Sequence, residues 1–336
     1  MLKLVIGKDW IANRDLIISR ITNEVNNCTP GQILLVPELI SHDAERRLAE
    51  SAGDTCSRYA EVLSFSRLAR RVSEAAGCKA VECMDNGGRV VVMASAVRQL
   101  VGKLKSYASV ETRPEFLTGL VEAVDEFKRC CISADDLKNA SEQTEGQFAQ
   151  KLEELSLILR TYDALSAQGK RDPRDQMSWV LEELECVDFA SRHHFYIDGF
   201  PDFTRQNFAV IEHFILNSDC VTVSLNCDEP GSKRIAFEKA GQTARSLLHF
   251  AKKNGVPYSI EIVEPKTTNL IQVRENLFQG NIQQNPNLFD RVFLRNADSI
   301  HEECVGAASR VLDLVRSGAR YRDIGIVCND MSVYEY

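Results

Sequence analysis

Phe195-Tyr-Ile-Asp-Gly-Phe200 is the stretch on which the fold turns. Three apolar residues in succession, then a carboxylate and a glycine, describe a strand buried on both faces that ends in an acid. Parallel α/β sheets collect their ligand-binding groups at the carboxyl ends of the strands. Asp198 therefore marks the edge where binding or chemistry would lie. The pair His193-His194 just before the strand has no nucleophile or metal partner at a telling spacing and is taken as structural.

The same alternation continues on both sides. Upstream come strand Leu2–Ile6, helix Ile11–Val25, strand Gln32–Val36 stopped by Pro37, helix Ser41–Glu50, strand Val62–Phe65 and helix Arg67–Ala76. Downstream come helix Thr204–Leu216, strand Val221–Leu225 and helix Thr243–Lys253, ended by Asn254-Gly255. Such alternation predicts a parallel sheet with helices on both faces. Between residues 78 and 191 the period is helical throughout. Met93, Val97, Leu100, Val101, Leu104 and Tyr107 share one face, as do Phe116, Leu120, Val124 and Phe127, and Leu152, Leu155, Leu159 and Tyr162. Ser133-Ala-Asp-Asp136 has the form of a capping box. The expected organisation is an α/β domain of residues 1–77 plus 192–264 with a helical insertion at 78–191. A polar linker at 265–289 and the start of a second α/β domain at 290–336 follow. That last part is expected to hold strands Arg291–Leu294 and Ile324–Cys328 around helix His301–Arg316. Its final strand has no covering helix, so the chain reads as the front of a longer one.

Composition narrows the function classes. With 44% hydrophobic and 26% charged residues the chain is of ordinary globular type. No apolar run approaches the ~20 residues that span a bilayer, and residues 1–6 lack the features of a signal peptide. A cytoplasmic protein without membrane contact is expected. The 11 cysteines are scattered and never spaced C-x-x-C, which favours reduced structural thiols over a metal site. A net charge of −8 excludes a broadly basic surface but not a local nucleic-acid channel. Residues 111–160, with six Lys/Arg against eleven Asp/Glu, are a poor place for such a channel.

Three segments carry chemistry-bearing residues. Gly7-Lys-Asp-Trp-Ile-Ala-Asn-Arg14 follows the first strand, where a phosphate-binding loop would read G-x-x-x-x-G-K-[ST]. Gly7 keeps the first position and the rest is lost, with Trp10 and Ile11 expected to obstruct the loop. A residual nucleotide site here would be a loop using Lys8 instead. At the end of the Asp198 strand a nucleotide-driven motor carries Asp-Glu, the Asp for Mg²⁺ and the Glu to polarise water. Here Gly199 stands at the Glu position, so the hydrolytic half is missing. Gly7, Lys8 and Asp198 thus outline a vestigial nucleotide site. Ser64-Phe-Ser-Arg-Leu-Ala-Arg-Arg71 offers Phe65 at a strand end, with Arg67, Arg70 and Arg71 on one helical face. Aromatic plus guanidinium suits stacked bases and phosphates of single-stranded DNA. The alternative is a buried Phe beside a solvated basic face. Phe200 and Phe203 add aromatics after the Asp198 strand. Asp198 and Asp202 lack the partners a two-metal nuclease site would need. No catalytic or metal-binding residue is assigned.

Taken together, Leu35-Val-Pro-Glu38, Val62-Leu-Ser-Phe-Ser-Arg-Leu-Ala-Arg-Arg-Val72, Glu126-Phe-Lys-Arg129, Tyr196-Ile-Asp-Gly-Phe200, Phe203-Thr-Arg-Gln206 and Tyr321-Arg-Asp-Ile-Gly-Ile326 resemble the N-terminal part of the B subunit of the bacterial helicase–exonuclease AddAB, called RexB in some lineages. The segments run in the same order along essentially the whole chain. The resemblance implies a RecA-like, superfamily-one helicase fold with a helical insertion. It also implies an AddA-type helicase–nuclease partner, contact with single- and double-stranded DNA, and a part in recognising the Chi sequence during double-strand-break repair. The family's iron–sulfur cluster and nuclease Mg²⁺ belong to its C-terminal part, outside these 336 residues. Carried over by motif, the DNA contacts would be Phe65, Ser66, Arg67, Arg70, Ser41, Phe200 and Phe203. Leu39 stands where the family commonly has Gln, and Arg70 where it commonly has Trp. Many relatives also keep the phosphate loop that is lost here. The competing expectations are a working nucleotide-dependent helicase using Lys8 and Asp198, and a protein-interaction module that touches no DNA.

Overall fold

The computed structural model describes residues 1–78, 82–107, 113–265 and 292–334. The chain divides into two units, Met1–Lys266 and Thr267–Tyr336.

The first unit is built on six parallel strands: β1 (Leu2–Gly7), β2 (Gln32–Leu35), β3 (Ala60–Leu63), β4 (His194–Ile197), β5 (Val221–Leu225) and β6 (Tyr258–Val263). They lie in the order β3-β2-β4-β5-β1-β6. This is an α/β fold of the RecA-like type. β2 pairs directly with β4, Ile33 opposite Phe195, so strands on either side of the long helical segment are neighbours in one sheet. Strand side chains alternate between two cores. Leu4, Ile33, Phe195, Ile197 and Val223 face one side, covered by α3 (Phe65–Ala75), α8 (Gln176–Cys186), α9 (Arg205–Asn217) and α10 (Glu238–Lys253). Val5, Leu34, Val36, Val62 and Tyr196 face the other, under α1 (Trp10–Asn26) and α2 (Ser41–Ala52). Phe195 stacks on Phe214 of α9 with centroids 3.9 Å apart.

Two details differ from the expected elements. β3 ends at Leu63, and Ser64 caps α3 by accepting from the Arg67 N–H at 3.3 Å, so Phe65 opens the helix instead of closing the strand. A serine followed by helix formers starts the helix there and does not extend the strand, because its hydroxyl satisfies an orphan helix donor. β6 lies outside the expected elements. It is a sheet edge whose Tyr258, Ile260 and Ile262 side chains are all substantially exposed.

The helical segment has a core of its own among α4 (Asn86–Gln99), α5 (Pro114–Arg129), α6 (Ala134–Glu142) and α7 (Gly146–Ser166), centred on Met93, Val97, Leu120, Val124, Leu159 and Tyr162. Ser133 and Asp136 form the expected capping box at the start of α6. Val101, expected on the buried face, lies past the end of α4 and is exposed. Beneath this core is a cluster of buried charge. The Asp172 side chain, fully buried, accepts from the Tyr162 hydroxyl at 2.8 Å and from Lys128 Nζ at 3.3 Å, and lies 3.2 Å from Arg89 Nε. Arg89 also pairs with Asp125, and Lys128 with Asp163 and Asp175. These groups join α4, α5 and α7 to the segment that leads into α8, and so tie the helical core to the sheet.

In the second unit α11 (Ile300–Arg316), which covers the expected helix His301–Arg316, is capped by Ser299. Residues 292–294 and 324–328 form no strand. An apolar run becomes a strand only when another strand accepts its backbone groups, and none among the described residues of this unit does so. The expected linker at 265–289 lies, save its first residue, outside the described residues.

Candidate functional site

The carboxyl edge of the sheet gathers the residues singled out by the sequence. After β1 comes Gly7-Lys8-Asp9, with Asp9 capping α1 by accepting from the Ile11 N–H at 3.1 Å. In a phosphate loop the N-terminal end of this helix would meet the nucleotide's phosphates. Here a buried carboxylate of the chain's own stands there. Asn13, at the motif's lysine position, donates its amide to the carbonyls of Gly7 (3.3 Å) and Leu225 (3.2 Å). Arg14, at the motif's hydroxyl position, donates Nε to Asp198 Oδ2 at 2.8 Å, both side chains being almost wholly buried. The Trp10 ring lies over the Arg14 guanidinium, 4.9 Å from its carbon to the ring centroid. Lys8 is half-buried and interacts within the protein.

These residues do not fit a bound Mg²⁺–nucleotide. The acid at the position a motor uses for its metal is paired with an arginine, the helix start with a carboxylate, and no lysine stands at the phosphate position. Of the two residues expected to obstruct the loop, Trp10 stacks on Arg14 and Ile11 is exposed. Isothermal titration with Mg-ATP is expected to give no binding heat, and a micromolar dissociation constant would overturn this assignment. Among the described residues no group of three or more His, Cys, Asp or Glu could hold a metal ion.

A second cluster lies beside the first. Phe65, Phe200 and Phe203 come together, Phe65 edge-on to Phe200 at 5.5 Å and Phe200 to Phe203 at 5.2 Å. All three pack against the sheet's core while remaining partly exposed. Gly199, between Asp198 and Phe200, has φ +82°, a conformation open to glycine at no steric cost. It turns the chain from the strand into the aromatic loop. Ser66 is exposed on the first turn of α3. Arg67 is half-buried and pairs with Glu45 of α2, Arg70 points to solvent near Glu74, and Arg71 pairs with Glu61. Ser41 donates its hydroxyl to the Glu38 carbonyl at 2.9 Å, at the start of α2. Leu39, just before it, is 98% exposed. The sequence reading missed Arg14 and Asn13, although counting along the phosphate-loop template places both at positions that matter.

Among the described residues no helix is long and apolar enough to cross a membrane. The family model described as "ADDB, N-terminal" matches residues 4–278. Similar proteins, each named as the B subunit of an ATP-dependent helicase/deoxyribonuclease, come from Clostridium tetani, Acetivibrio thermocellus and Thermoanaerobacter sp. The first is 25% identical over 98% of this chain and 30% of the relative. The second is 26% identical over 95% and 29%, and the third 28% identical over 90% and 27%. The chain thus spans less than a third of the length of these relatives. With a parallel sheet, an acid-tipped β4 and a family match over most of its residues, the chain belongs to the AddB N-terminal family.

Proposed function

We propose that this chain is a DNA-recognition and scaffold portion of an ATP-dependent helicase–nuclease subunit in double-strand-break repair, without motor activity of its own. Its partner would be an AddA-type subunit in the cytoplasm, and its ligand the single strand in which Chi is sensed. Residues 1–77 with 192–264 would form one RecA-like domain, 78–191 its helical insertion, and 290–336 the start of a second.

The convergence of Phe65, Phe200 and Phe203 at the carboxyl edge carries this reading. Two segments far apart in sequence meet there to present partly exposed rings, and base stacking on such rings is worth about 1–3 kcal/mol per base. Ser66, Ser41 and Arg67 flank the cluster on helix starts, where phosphate is favoured, with Arg70 further along α3. One observation favours a protein-interaction module instead: Arg67 and Arg71 already have carboxylate partners on α2 and β3, which offset the positive charge that α3 presents. Substitution in the full heterodimer separates the two. Phe65→Ala is expected to weaken single-strand binding about ten-fold. Arg67→Ala should lower the slope of log affinity against log salt by about 0.7. Wild-type behaviour of both variants would leave these residues as packing and surface, and the interaction module would stand.

A further inference from the structure

We propose that Arg14 is a built-in replacement for the divalent cation of a nucleotide site, and that by holding Asp198 it sets the aromatic loop in place. The loop's role in DNA binding rests on the reading above, whereas the cation role does not.

In G-x-x-x-x-G-K-[ST] counted from Gly7, the hydroxyl falls at residue 14, and in a working site that hydroxyl and the acid ending the facing strand both bind Mg²⁺. This chain keeps the acid, Asp198, and places at the hydroxyl position a side chain that is itself a permanent cation. The two meet at 2.8 Å, with side chains only 7% and 5% exposed. A carboxylate so buried needs a positive partner. β5 lies between β1 and β4, so the partner must span two strand spacings, about 10 Å, which a long side chain rising from α1 can do.

The surroundings extend the substitution. Trp10 stacks on the guanidinium and shields it. Asn13 fills the lysine position with an amide that links the ends of β1 and β5. Asp9 supplies negative charge at the start of α1. Each charge that a metal–nucleotide complex would bring has a side chain in its place. The link to the loop is direct, because Asp198 is followed by Gly199 and then Phe200, which contacts Phe65 and Phe203. Arg14 is accordingly a positioning residue for the cluster.

Chemical rescue tests this. In the protein of this sequence, Arg14→Ala leaves Asp198 buried without its cation, and the melting temperature is expected to fall by about 10 °C. Guanidinium chloride at about 20 mM, far below denaturing concentrations, is expected to restore at least half of that loss, while sodium chloride and urea at the same concentration do not. Wild type and the double variant R14A/D198N, which has no buried charge to satisfy, should show no such recovery. If R14A fails to fold, the double variant is still expected to fold and to be the more stable of the two. An R14A protein that melts like wild type, gains nothing from guanidinium, or is more stable than the double variant would overturn the cation role. Stability rescued in R14A with DNA affinity of the R14A heterodimer unchanged would overturn the positioning role alone. Failure of Phe65→Ala to weaken DNA binding would remove the DNA reading and leave the rescue result untouched.

Discussion

Asp172→Asn is expected to lower the unfolding free energy by about 3 kcal/mol, near the lower end of the range for breaking a buried ion pair. The carboxylate is fully buried and serves Lys128, Tyr162 and Arg89 at once. An amide keeps the shape but removes the charge that balances two buried cations. Arg89 retains Asp125, and Lys128 retains Asp163 and Asp175, which is why a larger loss is not expected. Urea titration of the variant beside wild type measures the difference, and a midpoint shift equivalent to under 1 kcal/mol would show that the cluster carries little of the stability. The acid limb should change as well. Burial alone would raise the Asp172 pKa, but Lys128, the Arg174 N–H, the Tyr162 hydroxyl and Arg89 outweigh it and hold the value below the ordinary one. A carboxyl depressed in the folded state contributes fully above its unfolded pKa, about 3.9, and loses that contribution as pH falls through the folded value. The variant should therefore lose less stability than wild type on acidification through this range.

Gly199→Glu, which would restore the Asp-Glu pair of a motor, is expected to destabilise the protein by about 2–4 kcal/mol and to give no ATP hydrolysis. At φ +82° any side chain is strained. A Cβ there would also lie 2.7 Å from Ile40 Cδ1, 3.2 Å from Arg14 Nη2 and 3.3 Å from Pro37 Cδ. The Ile40 methyl can rotate away, whereas the Pro37 ring and the paired guanidinium have little freedom. Gly199→Ala should show most of the same loss, because the backbone conformation and the Cβ cause it. Thermal unfolding followed by circular dichroism, together with a phosphate-release assay, tests both statements. Measurable hydrolysis, or stability within about 0.5 kcal/mol of wild type, would contradict the view that the site has been rebuilt around glycine.

How much can be read from the sequence depends on whether a residue's environment is local. β4 is visible because a strand buried on both faces is an unbroken apolar run, and the capping box at Ser133 because its partners are three residues apart. Phe65 is misplaced by one element because an aromatic after an apolar run suits a strand end and a helix start alike, and the Ser64 cap decides between them. β6 alternates Tyr258-Ser-Ile-Glu-Ile-Val263, a readable strand pattern that the polar stretch after it obscures. Ile324–Cys328 is apolar enough for a strand, but strand formation depends on a neighbour that its own residues do not encode. The Arg14–Asp198 pair is separated by 184 positions. Only the strand order makes them adjacent, so its sole trace in the sequence is an arginine at a hydroxyl's place. The aromatics are identifiable as residues, but their meeting depends on the turn at Gly199.

The strand order has a consequence for the nascent chain. β1, made first, lies between β5 and β6, which are made last, and β2 must wait for β4. At about 5–20 residues per second, the interval between emergence of β1 and of β5 is on the order of ten to forty seconds. Throughout it Leu2–Ile6 has no permanent partner on either side, and until β4 emerges Gln32–Leu35 lacks one on one side. The helices between residues 86 and 166 can meanwhile close on one another, since the core they share lies within that stretch. On the ribosome, α4–α7 would thus become ordered before the sheet, and β1 would be the strand most in need of a chaperone.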